Sequence, residues 1–135
     1  MIAQDLMTKN PARIAQDAKV RDAVGLLSEL DVRHLPVVNS DDEVVGMLSD
    51  RDLRALTIPT FSAGEYEGKV IRALDAKVAT VMSADVLTVD TDADIYEVVD
   101  LMLDNKVGAV PVVDPDGNLV GIISYIDVLR AAEFD

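Results

Sequence analysis

Sliding the chain along itself by 75 positions superimposes one half on the other without a gap from Met7 to Arg54. Met7 falls on Met82, Asp17-Ala18 on Asp92-Ala93, Leu26 on Leu101, and Pro36-Val37-Val38 on Pro111-Val112-Val113. The best-kept stretch is Val44-Val45-Gly46-Met47-Leu48-Ser49-Asp50-Arg51-Asp52-Leu53. It returns as Leu119-Val120-Gly121-Ile122-Ile123-Ser124-Tyr125-Ile126-Asp127-Val128. Each copy reads as a buried strand running into a helix start. The chain is a tandem repeat, and neither copy has enough apolar surface to form a core alone.

With 135 residues, half of them hydrophobic, the chain is long enough for one domain or two packed half-domains and too apolar to be disordered. It contains no cysteine, which excludes disulfides and thiolate chemistry and fits a reducing, cytoplasmic setting. No apolar run reaches the length of a membrane span, and the N-terminus lacks a basic-then-apolar signal pattern. The net charge of −13 argues against nucleic acid and anionic membranes, because phosphate would be repelled over most of the surface. Nineteen of the 25 acidic residues are Asp, a composition that favours a strongly solvated surface and fits a salt-rich cytoplasm.

In chain order, residues 1–10 form a lead-in, and Pro11 with Ile14 predicts a short extended piece. Asp17 is placed to cap a helix over 19–30 whose inner face is Val20, Ala23, Val24 and Leu27. His34 to Asn39 reads as a strand, with Pro36 expected at its start or on a sheet edge, since proline donates no ladder hydrogen bond. The polar turn Ser40-Asp41-Asp42-Glu43 leads to a returning strand over 44–48 and a helix over 50–57. Residues 58–64 read as a loop, and 65–76 as a helix packing through Val70, Ile71 and Leu74. The second copy repeats the plan: an extended 86–89, a helix over 94–105 capped by Thr91 or Asp92, strands over 109–113 and 119–123 around the turn Asp114-Pro115-Asp116-Gly117, and a closing helix to about residue 132. The expected architecture is α+β: two β-α-β-β-α units packed sheet to sheet about a pseudo-twofold axis. The repeat divides the chain into residues 1–57, a connecting loop and helix over 58–77, and residues 78–135.

The order of a Met-Thr/Ser lead-in, a helix, an apolar-Pro-Val-Val strand, a turn and Gly-x-x-Ser-x-x-Asp resembles the cystathionine-β-synthase (CBS) domain. Two in tandem resemble a Bateman module, and the likeness runs from about residue 4 to residue 132. The resemblance implies a regulatory module that binds AMP, ADP, ATP or S-adenosylmethionine in a cleft between the units, with or without magnesium and with no tightly bound cofactor. It also implies a homodimer. The Asp of each motif would then hold ribose hydroxyls, the Ser would help hold phosphate, and the lead-in would flank the adenine.

Residue chemistry is compatible with those roles. Ser49 and Ser124 stand where a strand gives way to a helix, so free backbone N–H groups favour an anion there. Asp52 and Asp127 can each accept two hydrogen bonds from a cis-diol. The same Ser-x-x-Asp spacing also makes a capping box that needs no ligand, and the two roles can coexist. The copies differ in charge. Ser49-Asp50-Arg51-Asp52 is accompanied by Arg33 and His34, whereas the matching positions of the second copy are Ile126, Gly108 and Ala109, with only Lys106 nearby. A stronger, phosphate-binding site is therefore expected from Arg33, His34, Leu35, Pro36, Ser49, Arg51 and Asp52 with Ser83, Val86 and Leu87. A weaker site, empty or suited to a less charged adenosine compound, is expected from Ser124, Asp127, Lys106, Val110 and Pro111 with Thr8, Pro11 and Ala12. Surface ion pairing is the alternative for Arg33 and Arg51, and a packed or hydrogen-bonded role the alternative for His34. Asp90 to Asp94 resembles a calcium loop but has Ile95 and Leu101 where that loop needs Gly and Glu, so no metal site is expected. No nucleotide-phosphate loop, Cys–His pair or zinc-protease motif is present, and no enzyme signal emerges. The competing functions are a ligand-free scaffold that dimerises or docks on an enzyme or transporter, and a magnesium or ionic-strength sensor.

Overall fold

The structure, a computed structural model, describes residues 1–54 and 63–132. Its elements are α1 (Ala3–Leu6), β1 (Thr8–Lys9), β2 (Ile14–Ala15), α2 (Val20–Leu30), β3 (His34–Val38), β4 (Val44–Ser49), α3 (Asp50–Arg54) and α4 (Ala63–Asp75). A 3-10 turn (Val78–Thr80), β5 (Val89–Asp90), α5 (Ile95–Asn105), β6 (Ala109–Val113), β7 (Leu119–Ser124) and α6 (Tyr125–Ala131) follow. The α+β class and the order of the main strands and helices are as expected. The end of the helix assigned to 50–57 and most of the loop assigned to 58–64 lie outside the described residues.

Packing divides the chain differently from the repeat. One compact unit gathers Ala12–Ser40 and Val45–Asp85; the other gathers Met1–Pro11, Asp41–Val44 and Val86–Asp135. The lead-in to each copy thus belongs to the unit that holds the other copy's strands. In the unit of the first copy the sheet order is β2-β3-β4, with β2 parallel to β3. An isolated bridge between Met47 and Ser83 adds to this sheet. Its core is Ile14, Val20, Ala23, Leu27, Leu35, Val37, Leu48, Leu53 and Val78. In the unit of the second copy the order is β1-β7-β6-β5, with β1 antiparallel to β7 and β5 parallel to β6. Its core is Ala3, Val89, Val98, Met102, Val110, Val112 and Ile123.

The lead-ins are bound by matched backbone hydrogen bonds. Ala3 N–H donates to Ala93 O at 2.8 Å and Ile95 N–H to Met1 O at 3.1 Å. In the other unit Val78 N–H donates to Ala18 O at 2.8 Å and Val20 N–H to Ala76 O at 2.9 Å. The partners differ by 75 in every case, so the repeat is one of tertiary contacts as well as of residues. Gly46 and Gly121 owe their identity to this arrangement. A Cβ on Gly46 would lie 2.3 Å from Met82 Sδ, and one on Gly121 would lie 2.2 Å from Met7 Sδ. Each lead-in methionine occupies the space a side chain would take.

Several local expectations are corrected. Pro36 and Pro111 lie inside central strands, not at an edge or a strand start. They are tolerated because the parallel neighbour begins one residue later: Ile14 pairs with Val37, and Val89 with Val112. The α2 N-cap is Lys19 rather than Asp17, and its N–H donates to Asp22 at 3.3 Å. The α5 cap is Asp94, which accepts from Tyr96 N–H at 2.8 Å, rather than Thr91 or Asp92. Val24 and Ile71 face outward; the inner stripe of α2 is filled by Val20, Ala23 and Leu27, and Leu74 is the residue of α4 that packs on the core. The turn at 114–117 forms as expected: Asp114 Oδ1 accepts from Asp116 and Asn118 N–H at 2.9 Å each, and Gly117 supplies a φ of 85°.

Candidate functional site

Each unit presents one strand-to-helix corner with a Ser-x-x-Asp motif. In the first copy β4 ends at Ser49 and α3 begins at Asp50, whose N–H donates to Arg33 O at 2.9 Å. That bond holds the start of β3, with Arg33 and His34, beside the helix start. Ser49 N–H donates to Asp52 Oδ2 at 3.0 Å, and Asp52 N–H donates to Ser49 Oγ at 3.0 Å. This is a reciprocal capping box formed without any ligand, so the capping role of the motif is real.

The capping box leaves groups over. Among the described residues, Asp52 Oδ1 accepts no hydrogen bond and the Ser49 hydroxyl finds no acceptor. Arg33 and Arg51 are exposed and, among the described residues, neither is ion-paired. The alternative of surface pairing is therefore not realised for either. Burial pushes the His34 imidazole below its ordinary pKa of 6.5; the Asp52 carboxylate raises it and the Arg33 guanidinium lowers it further. His34 is thus partly buried and mainly neutral, facing an acid and a base. Leu35 and Pro36 are sealed in the core, so only their backbone can reach a ligand. Ser83 lies in the same unit, held by Met47 N–H donating to Ser83 O and Ser83 N–H to Met47 O, both at 2.9 Å. Val86 and Leu87 belong to the other unit.

The second corner is built alike and finished differently. Ser124 N–H donates to Asp127 Oδ2 at 2.9 Å, and Asp127 N–H donates to Ser124 Oγ at 3.2 Å. The Ser124 hydroxyl also donates to Asp127 Oδ2 at 3.1 Å, and the Thr8 hydroxyl donates to Asp127 Oδ1 at 3.4 Å. Both carboxylate oxygens are engaged. Lys106 is exposed at the C-cap of α5 with φ 55°, Val110 and Pro111 are buried, Pro11 is buried in the same unit, and Ala12 belongs to the other. The expected inequality in charge is present, and beneath it is an inequality in free acceptors. Thr8 and Asp127 were both legible as site residues; that they bond to each other was not, although the 75-residue shift that aligns Thr8 with Ser83 marks the position.

No helix among the described residues is long and apolar enough to cross a membrane. The family model for the CBS domain matches residues 3–57 and again 78–133. A CBS domain-containing protein of Dictyostelium discoideum is 30% identical over 96% of this chain and 89% of its own length. The inosine-5'-monophosphate dehydrogenase of Methanocaldococcus jannaschii is 28% identical over 98% of this chain, which spans only 24% of that enzyme. Among solved structures, CBSX2 in complex with AMP is 32% identical, covers 96% of this chain and 94% of its own, and has a TM-score of 0.80. The family match takes in both copies of the repeat, and the matched region is a regulatory type of module rather than a catalytic domain. The chain belongs to the CBS-domain family and carries two CBS domains in tandem.

Proposed function

We propose that this CBS pair senses an adenosine derivative, bound first and most tightly at the corner of the first copy. The observation that carries this is the set of groups that no partner takes among the described residues: Asp52 Oδ1, the Ser49 hydroxyl and the guanidinium groups of Arg33 and Arg51, whose backbones adjoin the same helix start. A carboxylate oxygen with no donor suits a ribose hydroxyl, and paired arginines suit phosphate. The AMP complex of CBSX2, 32% identical along nearly its whole length, supports an adenine nucleotide over other anions. Arg33, His34, Ser49, Arg51, Asp52 and Ser83 would form this site. The second site, on Ser124, Asp127, Lys106 and Thr8, is weaker or takes a less charged compound. A ligand changes the output only through unequal affinity for two arrangements of the protein, read by a partner or a second copy of the chain.

A second reading is ligand-free docking. It is favoured by the exposed Tyr96, Leu103 and Leu129 of the second copy's helices, which are 77%, 70% and 54% accessible. The two separate in one experiment: thermal unfolding with AMP, ADP, ATP, S-adenosylmethionine or GTP, with and without magnesium. A ligand at about 100 times its dissociation constant adds roughly 2.7 kcal/mol of stability, a shift of several degrees. The sensor reading expects such a shift with an adenosine compound, lost in Asp52→Ala and kept in Asp127→Ala. No shift with any of them leaves docking as the function.

A further inference from the structure

We propose that Thr8 is an internal stand-in for a ligand hydroxyl and is what closes the site of the second copy. This rests on the sensor reading, because it concerns which of its two sites takes the ligand. Three observations meet at Asp127. Its Oδ2 is used by the Ser124 N–H and hydroxyl, at 2.9 and 3.1 Å, and its Oδ1 by Thr8. The equivalent Asp52 spends one oxygen on the cap and keeps the other. The contrast is not imposed by the backbone. Thr8 pairs with Ile122 and Ser83 with Met47, positions related by the 75-residue repeat, so the two lead-in residues enter their sheets at equivalent backbone positions. Among the described residues, only the threonine bonds to its aspartate.

A cis-diol needs carboxylate oxygens that are free to accept. Among the described residues Asp52 Oδ1 accepts nothing, whereas at Asp127 an incoming hydroxyl must compete with Thr8 for Oδ1. The Thr8 bond is long at 3.4 Å and its side chain is exposed, so displacement is possible and costs affinity rather than forbidding binding. Thr8 therefore sets how far the two sites differ, apart from the arginines that set the preference for charge.

The test is titration calorimetry of the full chain with adenosine, AMP and 2′-deoxyadenosine, comparing the parent with Thr8→Ala and Thr8→Ser. Thr8→Ala is expected to gain a site, or to tighten a weak one at least tenfold, for adenosine. That gain should be small with 2′-deoxyadenosine, absent in Thr8→Ser and abolished by adding Asp127→Ala. A purely structural Thr8 would weaken binding on truncation, never strengthen it. If Thr8→Ala proves unfolded by circular dichroism, Thr8→Val removes the hydroxyl while keeping a strand-forming shape. Equal stoichiometry and affinity in parent and variant, or a gain that survives Asp127→Ala, overturns the proposal. If the parent binds one equivalent through Asp52 and the variant gains nothing, this inference fails and the sensor stands. If neither protein binds any of the three compounds, both fail.

Discussion

Asp52 gives one oxygen to the helix cap, and its charge is felt by His34. Its imidazole is half withdrawn from water at the start of β3, where the Asp52 carboxylate and the Arg33 guanidinium act on it in opposite senses while burial dominates. The neutral form is favoured in the fold. As pH falls through 6.5 the unfolded chain takes up its proton before the folded one does. The stability His34 contributes is therefore complete above that value and declines as pH drops toward the lowered folded pKa. His34→Gln should remove that part of the slope while leaving the acid unfolding of the carboxylates in place. Urea denaturation of parent and variant at about pH 7.5 and about pH 5.5 checks it, with a parent-minus-variant difference that becomes less favourable to the parent in acid. A difference independent of pH would remove the imidazole as the source.

At the scale of elements, the edge of each sheet depends on a glycine in one copy meeting a methionine from the lead-in to the other. Gly46→Ala puts a methyl group into Met82, and overpacking of this kind costs about 1–3 kcal/mol, less where the methionine can turn aside. Met82→Ala should relieve most of that cost, so chemical denaturation of the two single variants and the double variant should show a coupling that favours the pair. Additive effects would place the strain elsewhere. The glycines were legible in the sequence as members of a motif, and their partners were not, because Met7 and Met82 are remote in the chain from the strands they cover. The same limit explains the other misplacements. Hydrophobic spacing located α2, α5 and the four long strands, since burial enforces a period. It could not say that Val24 and Ile71 are surplus to the inner face, that Asp94 and not its neighbours closes α5, or that two-residue partner strands spare Pro36 and Pro111 from the edge. The site was legible in its residue types and charge asymmetry, both carried by the repeat. The engagement of Asp127 by Thr8 was not, since a hydrogen bond across 119 positions leaves no local pattern.

Across the whole molecule, 25 acids face 12 lysines and arginines, an excess that no pairing of 12 cations can cancel. Arg21 and Lys19 share Asp75, and Arg54 pairs with Asp50 at 2.8 Å one helical turn away, all on exposed side chains. Exposed pairs of this kind contribute about 0–1 kcal/mol each. A net charge of −13 confined to a 14.6 kDa body repels itself more when folded than when spread along an unfolded chain. Screening shortens to about 10 Å at 0.1 M salt and about 3 Å at 1 M. Added potassium chloride should therefore stabilise the fold, raising Tm by several degrees between about 0.05 M and about 1 M, since roughly 1 kcal/mol corresponds to a shift of about 2–8 °C across domain sizes that bracket this one. Chloride is preferred to sulfate, which strengthens apolar burial by itself. The same salt should weaken a phosphorylated ligand at Arg33 and Arg51, because their attraction to phosphate is screened as well. Stability of the free protein and affinity for AMP should consequently move in opposite directions over one salt series. Adenosine, which has no phosphate, should lose little affinity over that range. If Tm falls with salt instead, net repulsion is not what limits the fold, and specific surface pairs matter more than their exposure implies. If AMP and adenosine respond alike, the arginines do not contact the phosphate, and the charge difference between the two copies serves the surface rather than the site.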